Sequence, residues 1–304
     1  MARENEQERK LNVEITPLIK KIEALTKRII KTKTLGEYIS VFKGAGLEFD
    51  GYKEYSPDID ASAIDWKASA RTKQILIRKY RQVKELEVYL MVDVSQKMVF
   101  GSTVKLKNEY SAELALAMAY IILSTGDSVG LLTFSDTVLN PIKAAKGVRQ
   151  FHNLARHIIN PDIYGGGYNI AYASEFALNF IKRKNSVVIL ISDFYGMTGP
   201  LWQRNLKLLR SKFDLFCIVV RDPRDKYLPH DVNEVLLQDP STGQRLLIDS
   251  SLLKQRYAAY THRQDAQLFR FFKETNIDYL ETLTDEDFIR VVFNFFTMRR
   301  LKMK

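Results

Sequence analysis

The stretch Leu86-Glu87-Val88-Tyr89-Leu90-Met91-Val92-Asp93-Val94-Ser95-Gln96-Lys97-Met98, with Phe100-Gly101 just beyond it, decides the fold. A run of branched and aromatic residues stops abruptly at an Asp-x-Ser turn, and a long helical pattern follows. In an open parallel sheet, ligands lie outside the carboxyl ends of the strands. Asp93 and Ser95 therefore present oxygen ligands where a metal or a partner is expected. Lys97 is the odd residue. A Ser there would complete an Asp-x-Ser-x-Ser metal loop, whereas a Lys brings a cation of its own.

Outward from this strand the chain alternates regularly. Strand 86–93 precedes helix 108–125, and strands 128–134 and 137–142 form a hairpin around Ser135-Asp136. Helices 147–158 and 169–182, strand 186–192, helix 200–211 and strand 213–220 follow. Strand 234–238, helix 250–274, strand 278–282 and helix 285–299 complete the pattern. Such alternation predicts an α/β fold with a mostly parallel sheet covered on both faces. Helix 108–125 has almost no polar side chain between Glu113 and Ser124, so it must be buried on most sides. The sheet covers one side, and residues 13–82 are the expected cover for the other.

The N-terminal part reads differently. Thr16-Pro17 looks like a helix start, and Leu18, Ile19, Ile22, Leu25, Ile29 and Ile30 recur at helical spacing. Lys20, Lys21, Lys27, Arg28 and Lys31 make this helix basic, which reads as a solvated face ahead of a lipid or nucleic-acid surface. Residues 40–82 are short runs broken by Gly44, Gly46, Gly51 and Pro57, consistent with a small antiparallel patch. The expected division is 1–82 as an N-terminal helix and β-rich module packed on a main domain of 83–304.

Composition bounds the function. The chain has 304 residues, 46% of them hydrophobic, enough for a sizeable core. Its net charge of +10 favours acidic partners. The lone Cys217 sits in an apolar run, so neither a disulfide framework nor a zinc cluster is expected. The polar N-terminus carries no secretory pattern, and the longest apolar stretch falls short of the ~20 residues a membrane helix needs. A cytoplasmic protein without a membrane span is expected.

Three segments converge on one crevice in this fold: Asp93 and Ser95, the Gly165-Gly166-Gly167-Tyr168-Asn169 loop, and Asp193 after Val187–Ser192. Two carboxylates and a hydroxyl suit a hard divalent cation; equally, both Asp residues suit capping of nearby amides. The glycine loop lacks the Lys-Ser/Thr of a phosphate loop, and no GxGxxG follows the first strand. The four histidines are scattered, with His152 and His157 five apart, and no nucleophile elbow is present.

Further motifs resemble a known family. Gly46-Leu47-Glu48-Phe49, Tyr55-Ser56-Pro57-Asp58-Ile59-Asp60 and Ile64-Asp65-Trp66-Lys67-Ala68-Ser69-Ala70-Arg71 resemble the signature of proteins catalogued as domain of unknown function 58. Asp93-Val94-Ser95, Phe100-Gly101-Ser102, Gly126-Asp127-Ser128-Val129-Gly130-Leu131 and Ile191-Ser192-Asp193-Phe194 continue the match in order. Ser62 departs from it, where the family usually has Arg.

The resemblance implies a von Willebrand factor A-like domain with an N-terminal β-rich addition, acting as an adaptor of a MoxR-type AAA+ ATPase on an unidentified protein client. It also implies a metal-ion-dependent adhesion site at Asp93, Ser95, Asp193 and the positions of Lys97 and Tyr168. Two of those five positions depart from the pattern, Lys97 for Ser and Tyr168 for Thr. An ammonium about 5 Å from a carboxylate gains roughly 3 kcal/mol at an effective dielectric of about 20. Lys97 is thus expected to stand in the cation's place, leaving a degenerate site with no cofactor or, at most, weakly held Mg²⁺.

Trp66 and Arg71 form a candidate partner-binding surface, although burial of Trp66 as a core anchor is the expected outcome. A non-enzymatic interaction module is the leading reading. The alternatives are a divalent-metal-dependent ligand binder through Asp93, Ser95 and Asp193, and a phosphoryl-transfer enzyme with Asp93 as nucleophile. Binding of nucleic acid is not expected.

Overall fold

The computed structural model describes residues 20, 47–56, 64–72, 74–82, 86–229, 234–238 and 244–302. The helix expected from Thr16-Pro17 (beyond residue 20), residues 57–63 and His230 lie outside them. In chain order the elements begin with β1 (Leu47–Glu54), α1 (Trp66–Thr72), β2 (Leu76–Gln82) and β3 (Glu87–Asp93). Then come α2 (Lys107–Ser124), β4 (Ser128–Phe134), β5 (Val138–Ala145), α3 (Gly147–Ile158) and α4 (Ile170–Phe180). β6 (Val187–Ser192), α5 (Leu201–Lys212), β7 (Asp214–Arg221), α6 (Pro223–Lys226), β8 (Glu234–Gln238) and β9 (Arg245–Asp249) follow. α7 (Ser250–Glu274), β10 (Asp278–Leu283) and α8 (Phe288–Lys302) end the chain.

Six strands form one sheet in the order β10-β7-β6-β3-β4-β5, parallel except for the β4–β5 hairpin. From β3 the chain builds outward through β4 and β5 in one direction and through β6, β7 and β10 in the other. The strand order therefore reverses between β3 and β6, where a crevice opens at the carboxyl ends. Val92 pairs with Ile191, which brings the next residues, Asp93 and Ser192, side by side at the sheet's edge.

The period-2 pattern of the strands divides the core in two. Val88, Leu90 and Val92 of β3 join Ile189, Ile218 and Val220 beneath α2, α3 and α8. Tyr89 and Met91 join Leu190, Cys217 and Val219 beneath α4, α5 and α7. Gly130 on β4 is needed for this packing, because a Cβ there would lie 2.4 Å from the Tyr89 ring.

Helix α2 is buried almost all round. Among the described residues α3 and α8 pack on it away from the sheet; most of residues 13–82, the cover expected from the sequence, lie outside the described residues. Phe288, Val291, Val292 and Phe295 recur at i, i+3, i+4 and i+7, giving α8 one apolar face that packs with α2.

The antiparallel patch expected within residues 40–82 is present as β1 paired with β2, with α1 between them in sequence. Trp66 overturns the expectation of a core anchor, being 69% exposed. The reason is local. Asp65 caps α1 by accepting from the amides of Lys67 and Ala68, both at 3.1 Å. Ser69, one turn on, takes the inward position, accepting from Leu76 N at 2.8 Å and donating to Asp65 O at 2.8 Å. Trp66, the first helical residue, is left facing solvent, and Arg71 is exposed as well.

Candidate functional site

Strand β3 ends in a fully buried carboxylate. Asp93 Oδ1 accepts from Ser95 N at 3.0 Å and from Ser95 Oγ at 2.5 Å, so the Asp-x-Ser turn closes on itself. Asp93 Oδ2 accepts from Ser192 Oγ at 2.6 Å, which ties β3 to β6. Ser192 also accepts from Phe194 N at 3.1 Å. Phe194 has φ of 54°, a left-handed conformation that costs a bulky residue energy, and its buried ring rests edge-on against Phe272.

The single turn of 3₁₀ helix at Gln96–Met98 aims Lys97 back into the crevice. Its Nζ lies 2.5 Å from Asp193 Oδ1 and 3.2 Å from Asp93 Oδ2, and donates to Tyr195 O at 2.9 Å. The same ammonium lies 3.0 Å from the centre of the Tyr168 ring. Tyr168 OH reaches Ser192 Oγ at 3.2 Å. Burial pushes the Tyr168 phenol well above its usual range, and the negative charge of Asp93 adds to the shift.

The glycine loop is stitched to the Asp93 turn by backbone bonds, Gly165 N to Val94 O at 2.9 Å and Gln96 N to Gly166 O at 3.1 Å. Gly165 and Gly166 both have positive φ, which lets the chain turn over the crevice before Asn169 caps α4 through Tyr172 N.

Several participants were not singled out from the sequence. Lys107, the first residue of α2, is buried and bridges Asp193 Oδ2 at 2.8 Å and Asp225 Oδ2 at 3.0 Å. A cation at a helix N-terminus runs against the macrodipole, so its placement serves the carboxylates and not the helix. Burial alone would lower the Lys107 ammonium and raise the Asp193 carboxyl. Asp193 and Asp225 outweigh that for Lys107 and hold it above its ordinary value. Lys107, Lys97 and Arg221 outweigh it for Asp193 and hold it well below the carboxylate range.

Arg221, buried at the end of β7, donates to Asp193 O and pairs with Asp265 Oδ1 at 2.7 Å. Its guanidinium carbon lies over the Tyr195 ring, 3.5 Å from the ring centre. Next to it Asp222 accepts from Ser102 N at 2.7 Å and Ser102 Oγ at 2.5 Å. That contact explains Phe100-Gly101-Ser102: a Cβ at Gly101 would lie 2.7 Å from Lys105 O, so only glycine lets the loop turn there. Two signals could have exposed this layer, the Lys that opens an apolar helix and the Arg-Asp pair that ends an apolar strand.

Asp93, Ser95, Lys97, Tyr168 and Asp193 are thus brought together, whereas Trp66 and Arg71 lie on α1, outside the cluster's contacts. His157 is apart too, with Nε2 2.8 Å from Thr133 Oγ1 and its imidazole pushed down by burial. Cys217 is fully buried in the sheet. Among the described residues no group of three or more His, Cys, Asp or Glu is placed to hold a metal ion, and no helix is long and apolar enough to cross a membrane.

An open, mostly parallel sheet with helices on both faces and a polar crevice at its switch point defines a doubly wound α/β protein. The chain belongs to the family described as Protein of unknown function DUF58, whose profile matches residues 51–267. An uncharacterized protein of Mycobacterium tuberculosis is 29% identical over 269 residues, covering 87% of this chain and 83% of the relative. Solved structures with a similar fold include an aerotolerance-related membrane protein from Bacteroides fragilis, with a TM-score of 0.48 at 15% identity over 71% of this chain and 99% of that one. A von Willebrand factor type A structure from Catenulispora acidiphila has a TM-score of 0.38 at 11% identity, covering 74% of this chain and 43% of that one.

Proposed function

We propose that this chain is a non-enzymatic protein-interaction module, an adaptor or partner of a MoxR-type AAA+ ATPase in chaperone-like remodelling of a protein client. In this reading residues 1–82 pack on the main domain of 83–304, and the crevice is a degenerate metal-ion-dependent adhesion site. The observation that carries it is the Lys97 ammonium between Asp93 and Asp193, at 3.2 and 2.5 Å. The residues present do not fit a hard divalent ion. Mg²⁺ asks for near-octahedral oxygen ligands at about 2.0–2.1 Å, and here the gap between the carboxylates holds a cation covalently tethered to the chain. The position that would supply a second hydroxyl carries the Tyr168 ring instead.

The same contacts weigh against Asp93 as a phosphoryl-transfer nucleophile. Both of its oxygens already accept hydrogen bonds, from Ser95 and Ser192, and Lys97 neutralises it. A fixed internal charge suits a surface that recognises a partner without waiting for an ion. Trp66 and Arg71, both exposed, offer a second candidate contact on α1.

The test is affinity purification of the full chain from native lysate with and without ATP. Co-elution of a AAA+ ATPase in a nucleotide-dependent manner is the expected result. Nucleotide or phosphoester hydrolysis by the purified chain, abolished by Asp93→Asn, would overturn the reading.

A further inference from the structure

Beside the crevice, a groove of about 470 Å³ runs between α5, α7 and the Phe194–Met197 loop. Its charged lining is three cations, Arg221, Lys207 and Arg270, against one carboxylate, Glu274. Helix α5 carries Arg204, Lys207, Arg210 and Lys212 and no acidic residue, so the positive field continues along one wall. Lys207 and Arg270 are exposed and form no ion pair among the described residues.

Arg221 is 1% exposed, and its Nε has no hydrogen-bond partner although its other nitrogens are engaged. A buried donor left unpaired is costly. Trp202 and Phe271 meet edge-on at 4.8 Å and give the groove an apolar ledge. Gln203, Gln264 and Gln267 add side-chain amides that can both donate and accept.

We propose that this groove binds an acidic, extended segment of a partner protein, with carboxylates directed to the exposed Lys207 and Arg270 and an apolar side chain on the Trp202–Phe271 ledge. This rests on the interaction-module reading and names the chemistry of the partner. A protein segment fits better than a nucleic acid. Glu274 would repel a continuous phosphate chain, whereas carboxylates spaced along a peptide can avoid it, and the glutamine amides match a peptide backbone. The groove shares Arg221 with the crevice, since that side chain holds the Asp193 carbonyl.

The chain has two tryptophans, so Trp66→Phe leaves Trp202 as the only indole reporter. The full chain with that substitution is titrated with the blocked peptide Glu-Glu-Phe-Glu-Glu while Trp202 emission is followed. A saturable change that weakens with salt is expected, with affinity falling about tenfold for each charge reversed in Lys207→Glu and Arg270→Glu. No saturable change overturns the proposal. So does unchanged affinity in the folded double variant, checked by circular dichroism, or tighter binding of a charge-matched oligothymidylate. If the double variant with Trp66 retained still recovers its partner from lysate as the unaltered chain does, the groove is wrong and the interaction-module reading stands. If the peptide binds as expected while the unaltered chain recovers no ATPase, that reading fails and the groove stands.

Discussion

Lys97 Nζ sits 3.0 Å from the centre of the Tyr168 ring, so the two residues that depart from the proposed metal-site pattern are one arrangement. The residue that would supply a hydroxyl ligand supplies a π-face, which suits the ammonium at the neighbouring position. The proposed silence of the site follows from this pair. Calorimetry on the unaltered chain is expected to detect no Mg²⁺ or Mn²⁺ binding. Lys97→Ser combined with Tyr168→Thr removes the tethered cation and restores two hydroxyls, and is expected to create measurable affinity; Lys97→Ser alone acts more weakly in the same direction. Tight binding by the unaltered chain would sink the argument, as would a folded double variant that ignores metal.

Lys107 is the larger stability element of the cluster. It is buried and holds two carboxylates, Asp193 and Asp225, at 2.8 and 3.0 Å. Lys107→Met keeps most of the volume but leaves Asp193 buried with one neutralising partner fewer. Removing one side of a buried ion pair costs about 3–5 kcal/mol. A fall of that size should appear as a lower urea midpoint with an unchanged slope. A loss near zero would mean that Lys97 alone neutralises Asp193.

The pH dependence has a definite sign at each end. Asp193 titrates below its unfolded value, so its stabilising contribution is present above about pH 4 and is lost as the pH falls towards its folded value. Lys107 titrates above its unfolded value, so its contribution is full below about pH 10 and is lost as the pH rises through its folded value. Unfolding free energies measured from pH 3 to 11 should show both losses. In the Lys107→Met chain the alkaline loss should shrink. An alkaline limb identical to that of the unaltered chain would contradict the assignment.

Gly130 tests how the sheet is packed. A Cβ at this position meets the Tyr89 ring at 2.4 Å and the backbone nitrogen of Ala144 at 2.9 Å, so Gly130→Ala forces a shift between β3, β4 and β5. Overpacking of this kind costs typically about 1–3 kcal/mol. Adding Tyr89→Leu should recover part of the loss by removing the ring. A Gly130→Ala chain as stable as the parent would show that the ring has room to move.

Much of the fold was legible because α/β chains write their layers into periodicity. Helix 147–158 emerges with the predicted bounds, and β3, β4, β6 and β7 follow from apolar runs closed by turns. Short elements were not legible: α6 has four residues and α1 seven, too few to show a period. Asp93, Ser95 and Asp193 could be read because strand ends in a parallel sheet share an edge. Lys107 and Arg221 left only an out-of-place charge as a signal, at the start of an apolar helix and the end of an apolar strand, and their partners Asp225 and Asp265 left none, because they come from separate helices. Lys107 reaches 86 residues to Asp193 and 118 to Asp225. Trp66 was misjudged because average burial of tryptophan says nothing about which way a capped helix turns its first residue.

The cover of α2 leads to the last prediction. An apolar helix needs partners on the side away from the sheet, and Phe288, Val291, Val292 and Phe295 of α8 supply them together with α3. A chain ending at Asp287 uncovers that side, and each fully buried apolar side chain lost forfeits about 1.5–3 kcal/mol. Four such losses approach the whole stability of a domain, which is about 5–15 kcal/mol. The truncated protein is expected to aggregate or to bind a hydrophobic dye strongly. A chain beginning at Val83 keeps α3 and α8 on α2 and is expected to stay soluble and unfold cooperatively. If the order is reversed, with the Val83 chain aggregating and the Asp287 chain folding, then residues 1–82 are the cover after all and the packing assigned to α8 is wrong.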